Sequence, residues 1–132
     1  MLENEEAYKR HQIERKKRQQ QIAQPEQTGA KGPLKEVAAA LDAVVVVVLN
    51  AAQTEAVLFG DDGIAPHLTK GTVILASATV PPSFARDMEA RCAALGLLYL
   101  DAPISGGSIK AAAGQLSIMA SGTAETFQAA GP

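Results

Sequence analysis

Within seven residues, the stretch Asp101-Ala102-Pro103-Ile104-Ser105-Gly106-Gly107 brings together a carboxylate, a proline, a hydroxyl and two adjacent glycines. The proline removes a backbone donor and discourages a preceding strand from continuing. The glycines permit positive φ and leave the backbone bare, so successive N–H groups can point at one anion and hold a carboxylate or phosphate without a dedicated cation. The same residue types also build an ordinary turn that merely redirects the chain, and local sequence leaves both readings open. Two further stretches place polar groups directly after apolar runs: Leu49-Asn50 follows a run of valines, and Ser77-Ala78-Thr79 follows Thr72–Ala76. Asn50 and Thr79 can exchange hydrogen bonds with a ligand, and each can equally cap a helix or form a turn. Metal chemistry finds no support, because no histidine, cysteine or carboxylate set has ligand spacing; Asp61-Asp62-Gly63 reads as a turn and helix cap.

These residues need a scaffold that sets three polar loops along one edge. Ala43–Leu49 is an unbroken, β-branched run without alternation, as expected of a parallel strand covered on both faces. Thr72–Ala76 and Leu97–Leu100 read as two more buried strands, and Gln115–Ala120 as a fourth. Between them, Leu34–Leu41 looks like the end of a surface helix, and Gln53–Phe59 is a helical segment stopped by Gly60. Phe84, Met88, Cys92 and Leu95 recur every three or four residues and mark the apolar face of a helix ended by Gly96. That spacing makes Cys92 a core residue rather than a nucleophile. Ile109–Ala113 forms a helical turn, and Thr123 caps a last helix. Alternating strands and helices of these lengths predict an α/β fold with a mainly parallel sheet. In such sheets ligands gather beyond the carboxyl ends of the strands, where all three polar stretches fall.

The charge divides the 132 residues unevenly: up to Pro33 there are seven basic against five acidic residues, and from Leu34 onward five against nine. Residues 1–33 lack a continuous apolar stripe and read as a charged extension and linker, helical over about Asn4–Ala23 or unstructured, broken by Pro25, Gly29, Gly32 and Pro33. Arg15-Lys16-Lys17-Arg18 reads as a solvated, charged face. The acidic remainder argues against nucleic-acid binding. A lone cysteine precludes an intrachain disulfide, no apolar run is long enough to span a bilayer, and the N-terminus is charged; together these predict a cytoplasmic protein without a membrane partner.

The Asp101–Gly107 stretch, followed by Gly114-Gln115-Leu116 and Met119-Ala120-Ser121-Gly122, resembles the substrate-binding signature of the β-hydroxyacid dehydrogenases, the 3-hydroxyisobutyrate dehydrogenase group. The resemblance runs back through Ser77-Ala78-Thr79 and Val80-Pro81-Pro82 to Leu49-Asn50 and covers about Leu34 to Ala130. Asn50-Ala51-Ala52-Gln53 with Phe59-Gly60 looks closest to the L-threonate dehydrogenase branch. What it implies is a Rossmann-type NAD(P)-binding domain and hydride transfer between NAD or NADP and the hydroxyl-bearing carbon of a small hydroxy acid. By matching positions, Ser105, Gly106 and Gly107 would bind the substrate carboxylate, Thr79 would border the nicotinamide, and Leu49 and Asn50 would line the cofactor cleft.

The departures from that pattern carry their own implications. The family opens with a strand and a G-x-G-x-x-G turn that seats the pyrophosphate, and no such motif occurs in these residues. Gly29-Ala30-Lys31-Gly32 has no strand before it and Pro33 after it, and none of Lys35, Lys70 or Lys110 has the context of the family's catalytic lysine. The reading is therefore an incomplete Rossmann-type domain spanning 34–132, inactive by itself, with no assignable catalytic residue. The loss of neighbouring strands predicts self-association through an exposed apolar sheet edge. A non-enzymatic interaction or ligand-binding module built from a dehydrogenase remnant is the competing reading.

Overall fold

The computed structural model describes residues 33–131; the helix expected over Asn4–Ala23 and the basic run Arg15–Arg18 lie outside them. Where valine, isoleucine and leucine follow one another, short strands form: β1 (Ala43–Val46), β2 (Val73–Ala76) and β3 (Leu98–Asp101). They build one parallel sheet in the order β1-β2-β3, with Val44 beside Ile74 and Ile74 beside Tyr99. Parallel neighbours require crossovers, and helices supply them. Helix α1 (Leu34–Val37), continued by a 3₁₀ turn over Ala38–Ala40, precedes β1. Helix α2 (Ala51–Phe59) and a second 3₁₀ turn (Ala65–His67) link β1 to β2, and α3 (Pro82–Ala94) links β2 to β3.

Helix α3 follows from its sequence at both ends. Pro82 occupies the first turn, where a missing N–H costs nothing. At the other end Gly96 takes φ 73° while the Leu97 N–H donates back to the Cys92 carbonyl at 3.0 Å. Between these ends Ala85, Met88 and Cys92 are buried at helical spacing. The core forms where α3 and the sheet meet Leu58, Ile64 and Ile74. Burial pushes the Cys92 thiol up to about 11, so it rests as a neutral core side chain.

Three expectations need correction. The Ala43–Leu49 run is a strand only to Val46, and it is not covered on both faces: Val45 is 62% and Val47 68% exposed on one face, while Val46, pointing to the other, is buried; among the described residues β1 also pairs with β2 alone. Asp61 and Asp62 do not cap the following turn, which has no side-chain cap. Instead Asp62 accepts a hydrogen bond from Lys35 Nζ at 2.9 Å, and this bond and charge hold its carboxyl below the usual range.

The third correction concerns the fourth strand. Only Ser117–Ile118 is strand (β5), and it pairs antiparallel with β4 (Ile104–Ser105) in a separate two-stranded sheet. The residues between β4 and β5 form the turn and the short helix α4 (Gly107–Ala112) of a hairpin arm, which sets Ile118 beside Ile104 and Ser117 beside Ser105. The chain then enters α5 (Ala124–Ala130), capped as expected by Thr123, whose Oγ1 accepts from the Thr126 N–H.

Candidate functional site

The hydrogen-bond ladder carries the three strands to a common level at their carboxyl ends. Beyond β1 and β2, the Ser77 N–H donates to the Val46 carbonyl at 3.0 Å; beyond β2 and β3, the Ala102 N–H donates to the Ala76 carbonyl at 2.8 Å. The polar stretches after the three strands therefore start side by side. Leu49 is 81% exposed, and its N–H donates to Gln53 Oε1 at 2.8 Å. Asn50 caps α2, its Oδ1 accepting from the Gln53 N–H at 2.9 Å, so the capping role weighed from sequence is realised and the exposed side chain keeps its amide donors. Thr79 is exposed in the loop between β2 and α3.

The Asp101–Gly107 stretch is the root and one side of the hairpin arm. Asp101 and Ser121 exchange backbone hydrogen bonds at 3.0 and 2.8 Å, and the Met119 N–H donates to the Pro103 carbonyl at 3.0 Å. These bonds hold Ser105 on β4, exposed, immediately before the turn. Gly106 has φ 135° and Gly107 φ 65°, conformations that side-chain-bearing residues rarely adopt. A Cβ on Gly106 would lie 2.8 Å from Lys110 Cβ, whereas one on Gly107 would meet nothing within 4 Å. Gly106 is thus required by packing, and Gly107 leaves its backbone open to an approaching group.

Sequence reasoning overlooked the side-chain environment of Asp101. Its Oδ1 is buried without a hydrogen-bond partner, and so is the hydroxyl of Tyr99 two residues earlier on β3. The only sequence signal was their i, i+2 spacing, which places both on one face of a strand. Burial raises the Asp101 carboxyl above its ordinary range. Burial, reinforced by the nearby Asp101 charge, also raises the Tyr99 phenol. The folded protein therefore keeps the Asp101 proton at pH values where the unfolded chain has lost it. Stability from this group rises as pH falls through the raised folded value towards the ordinary one, and the ionised form is a net cost above that window. Asp101→Asn is expected to melt at a higher temperature than the parent chain at neutral pH, with the difference shrinking on acidification. A pH-independent difference in thermal unfolding would contradict this.

A parallel β-α-β-α-β sheet with polar residues gathered past its strand ends defines a Rossmann-type dinucleotide-binding fold. Residues 4–132 match the family described as the NAD binding domain of 6-phosphogluconate dehydrogenase, and the chain belongs to that family. It is 50% identical over 95 residues to an L-threonate dehydrogenase of Cupriavidus necator, a match covering 72% of this chain and 32% of the relative. Among solved structures, a 3-hydroxyisobutyrate dehydrogenase from Salmonella typhimurium superposes with a TM-score of 0.71 at 41% identity, over 77% of this chain and 35% of that one. Psf3, solved in complex with NADP+ and 2-OPP, superposes with a TM-score of 0.68 at 25% identity, over 74% and 35% of the two chains. The chain spans about a third of the length of these relatives. The family is thus one of NAD(P)-binding oxidoreductase domains, as the resemblance implied. Among the described residues no helix is long and apolar enough to cross a membrane, and no group of side chains could hold a metal ion.

The described residues fit one end of a dinucleotide better than the other. A pyrophosphate needs a glycine-lined turn between a strand and a helix N-terminus. Here the β1–α2 turn is Val47-Val48-Leu49-Asn50, with side chains where the phosphates would need bare backbone. The exposed hydroxyl of Thr79 and amide of Asn50 suit the carboxamide-bearing nicotinamide end instead.

Proposed function

We propose that residues 34–132 are the latter part of the NAD(P)-binding domain of a hydroxyacid dehydrogenase of the L-threonate type. The observation that carries this reading is the levelling of three parallel strand ends, which sets Asn50, Thr79 and the Ser105–Gly107 arm along one edge. In this reading Leu49, Asn50 and Thr79 border the nicotinamide end of the cofactor, which supplies the hydride acceptor when bound. Ser105 donates its hydroxyl to the substrate carboxylate, the open backbone at Gly107 lets that carboxylate approach, and Gly106 sets the turn that presents it. The protein's contribution is to hold the hydroxyl-bearing carbon against the cofactor in a reactive orientation.

In the same reading these residues do not transfer hydride alone, because no G-x-G-x-x-G turn and no lysine in the family's catalytic context is among them. The test is a chimera in which residues 34–131 replace the matching stretch of the Cupriavidus necator relative. It is expected to reduce NAD or NADP with L-threonate. Ser105→Ala in it should cost about 1.5–3 kcal/mol, the worth of a hydrogen bond to a charged group, expressed mainly in KM. A folded chimera that binds cofactor and oxidises no hydroxy acid would refute the substrate assignment. Tight, saturable NADH or NADPH binding by the 132-residue chain itself would refute the claim that its pyrophosphate seat is lacking.

A further inference from the structure

Past Val46 the chain leaves β1 and runs through Val47-Val48-Leu49-Asn50 into α2. Among the described residues, no backbone-to-backbone hydrogen bond outside the regular elements involves Val47, Val48 or Leu49. The Leu49 N–H is taken instead by a side chain, donating to Gln53 Oε1 at 2.8 Å. Gln53 also engages Asn50 through its own backbone, its N–H donating to Asn50 Oδ1 at 2.9 Å. Fully buried Thr54 completes the set: its N–H and its hydroxyl both donate to the Asn50 carbonyl, at 3.0 and 2.9 Å.

This pattern goes beyond helix capping. In a capping box the residue three places into the helix reaches back to the N–H of the capping residue itself, which here would be Asn50. Gln53 reaches one residue farther, to Leu49, which lies outside the helix and is 81% exposed. The bond therefore fixes the loop ahead of α2 rather than its first turn. It also fixes how two amides face. A backbone N–H can be met only by an amide oxygen, so Asn50 and Gln53 both have their oxygens engaged within the turn and keep only N–H donors for a group outside it.

We propose that Gln53 is a positioning residue for the cofactor: by holding the Leu49 N–H it locks the Leu49–Asn50 turn in the form that presents the Asn50 amide donors to an acceptor on the nicotinamide end. Gln53 acts through Leu49 and Asn50, and this role rests on the assignment of those two residues to that end of the cofactor.

Gln53→Ala and Gln53→Glu separate this role from a purely helical one. Alanine removes the acceptor and is the better helix former, whereas a glutamate oxygen accepts the same bond. In the 132-residue chain the Leu49 amide is expected to exchange with solvent about two- to tenfold faster in Gln53→Ala, as for the loss of one hydrogen bond, and at the parent rate in Gln53→Glu. In the chimera carrying residues 34–131, Gln53→Ala is expected to raise KM for NAD or NADP by about two- to tenfold, with KM for L-threonate at saturating cofactor unchanged, and Gln53→Glu to keep the parent value. Service to helix stability alone predicts no loss with alanine. The proposal is overturned by a Leu49 amide indifferent to Gln53→Ala, by an unchanged cofactor KM in Gln53→Ala, or by Gln53→Glu behaving as Gln53→Ala does. A folded parent chimera that transfers no hydride refutes the dehydrogenase reading and this role with it; an active parent chimera indifferent to Gln53→Ala refutes the role of Gln53 alone.

Discussion

Ile74→Ala is expected to destabilise the sheet domain by about 2–5 kcal/mol, the usual cost of truncating a fully buried aliphatic side chain. Ile74 has no exposed surface, lies on the central strand, and is flanked by Val44 on β1 and Tyr99 on β3. Removing its branches leaves a void that the two neighbouring strands cannot close without breaking register. Single domains are stable by only about 5–15 kcal/mol, so this one change consumes a large share of the total. Urea unfolding followed by circular dichroism should show a lower midpoint at unchanged slope. Val47→Ala, at a side chain 68% exposed, is the control and should shift stability by no more than about 0.5 kcal/mol. Equal effects of the two substitutions would mean that β2 is not the centre of the core.

The second large effect concerns association rather than folding. The run Ala43–Leu49 contains no charge, proline or glycine; Val45, Val47 and Leu49 are 62%, 68% and 81% exposed, and β1 pairs on one side only among the described residues. Such an edge offers unpaired backbone groups and an apolar strip to any second strand, including that of another copy. We expect the chain to associate with rising concentration in sedimentation velocity, and the double variant Val45→Lys, Val47→Lys to remain monomeric. Lysine suits this role because a charged edge strand cannot be paired without desolvating the charge. A parent chain that stays monomeric across the accessible concentrations would dispose of the idea.

Much of the fold was legible in the residues themselves. The valine run, the Thr72–Ala76 run and Leu97–Leu100 each produced a strand close to its expected place, and the spacing of Phe84, Met88 and Cys92 located α3 and its buried face. Periodicity and turn chemistry are local properties, and a segment between breakers such as Pro81-Pro82 and Gly96 carries them wherever it packs. The candidate site was legible for the same reason. Asp101–Gly107 combines residue types whose purpose is backbone geometry, and Gly106 and Gly107 do adopt positive φ.

The errors fall where the answer depended on partners distant in sequence. A β-branched run reads identically whether a helix covers both faces of its strand or one, so the exposure of Val45 and Val47 beside a buried Val46 did not follow from their composition. Gln115–Ala120 has the composition of a strand, but whether it joins the parallel sheet or folds back on Ile104–Ser105 depends on which strand edge it meets in the folded chain. The carboxylate of Asp62 looked like a local cap until Lys35, 27 residues away, was placed beside it.

The sequence by itself determined the alternation of strands and helices, the burial of Cys92, the family resemblance and the glycine turn after Ser105, because each is written in short-range spacing and residue type. Only the tertiary structure decided that β1 leaves one face open at Val45 and Val47, that the Ser105–Gly107 turn is carried on an antiparallel arm, and that the Tyr99 hydroxyl and Asp101 Oδ1 are buried without partners. The physical reason is that burial, hydrogen-bond satisfaction and net local charge belong to the set of groups that meet in space, and no single segment contains that set.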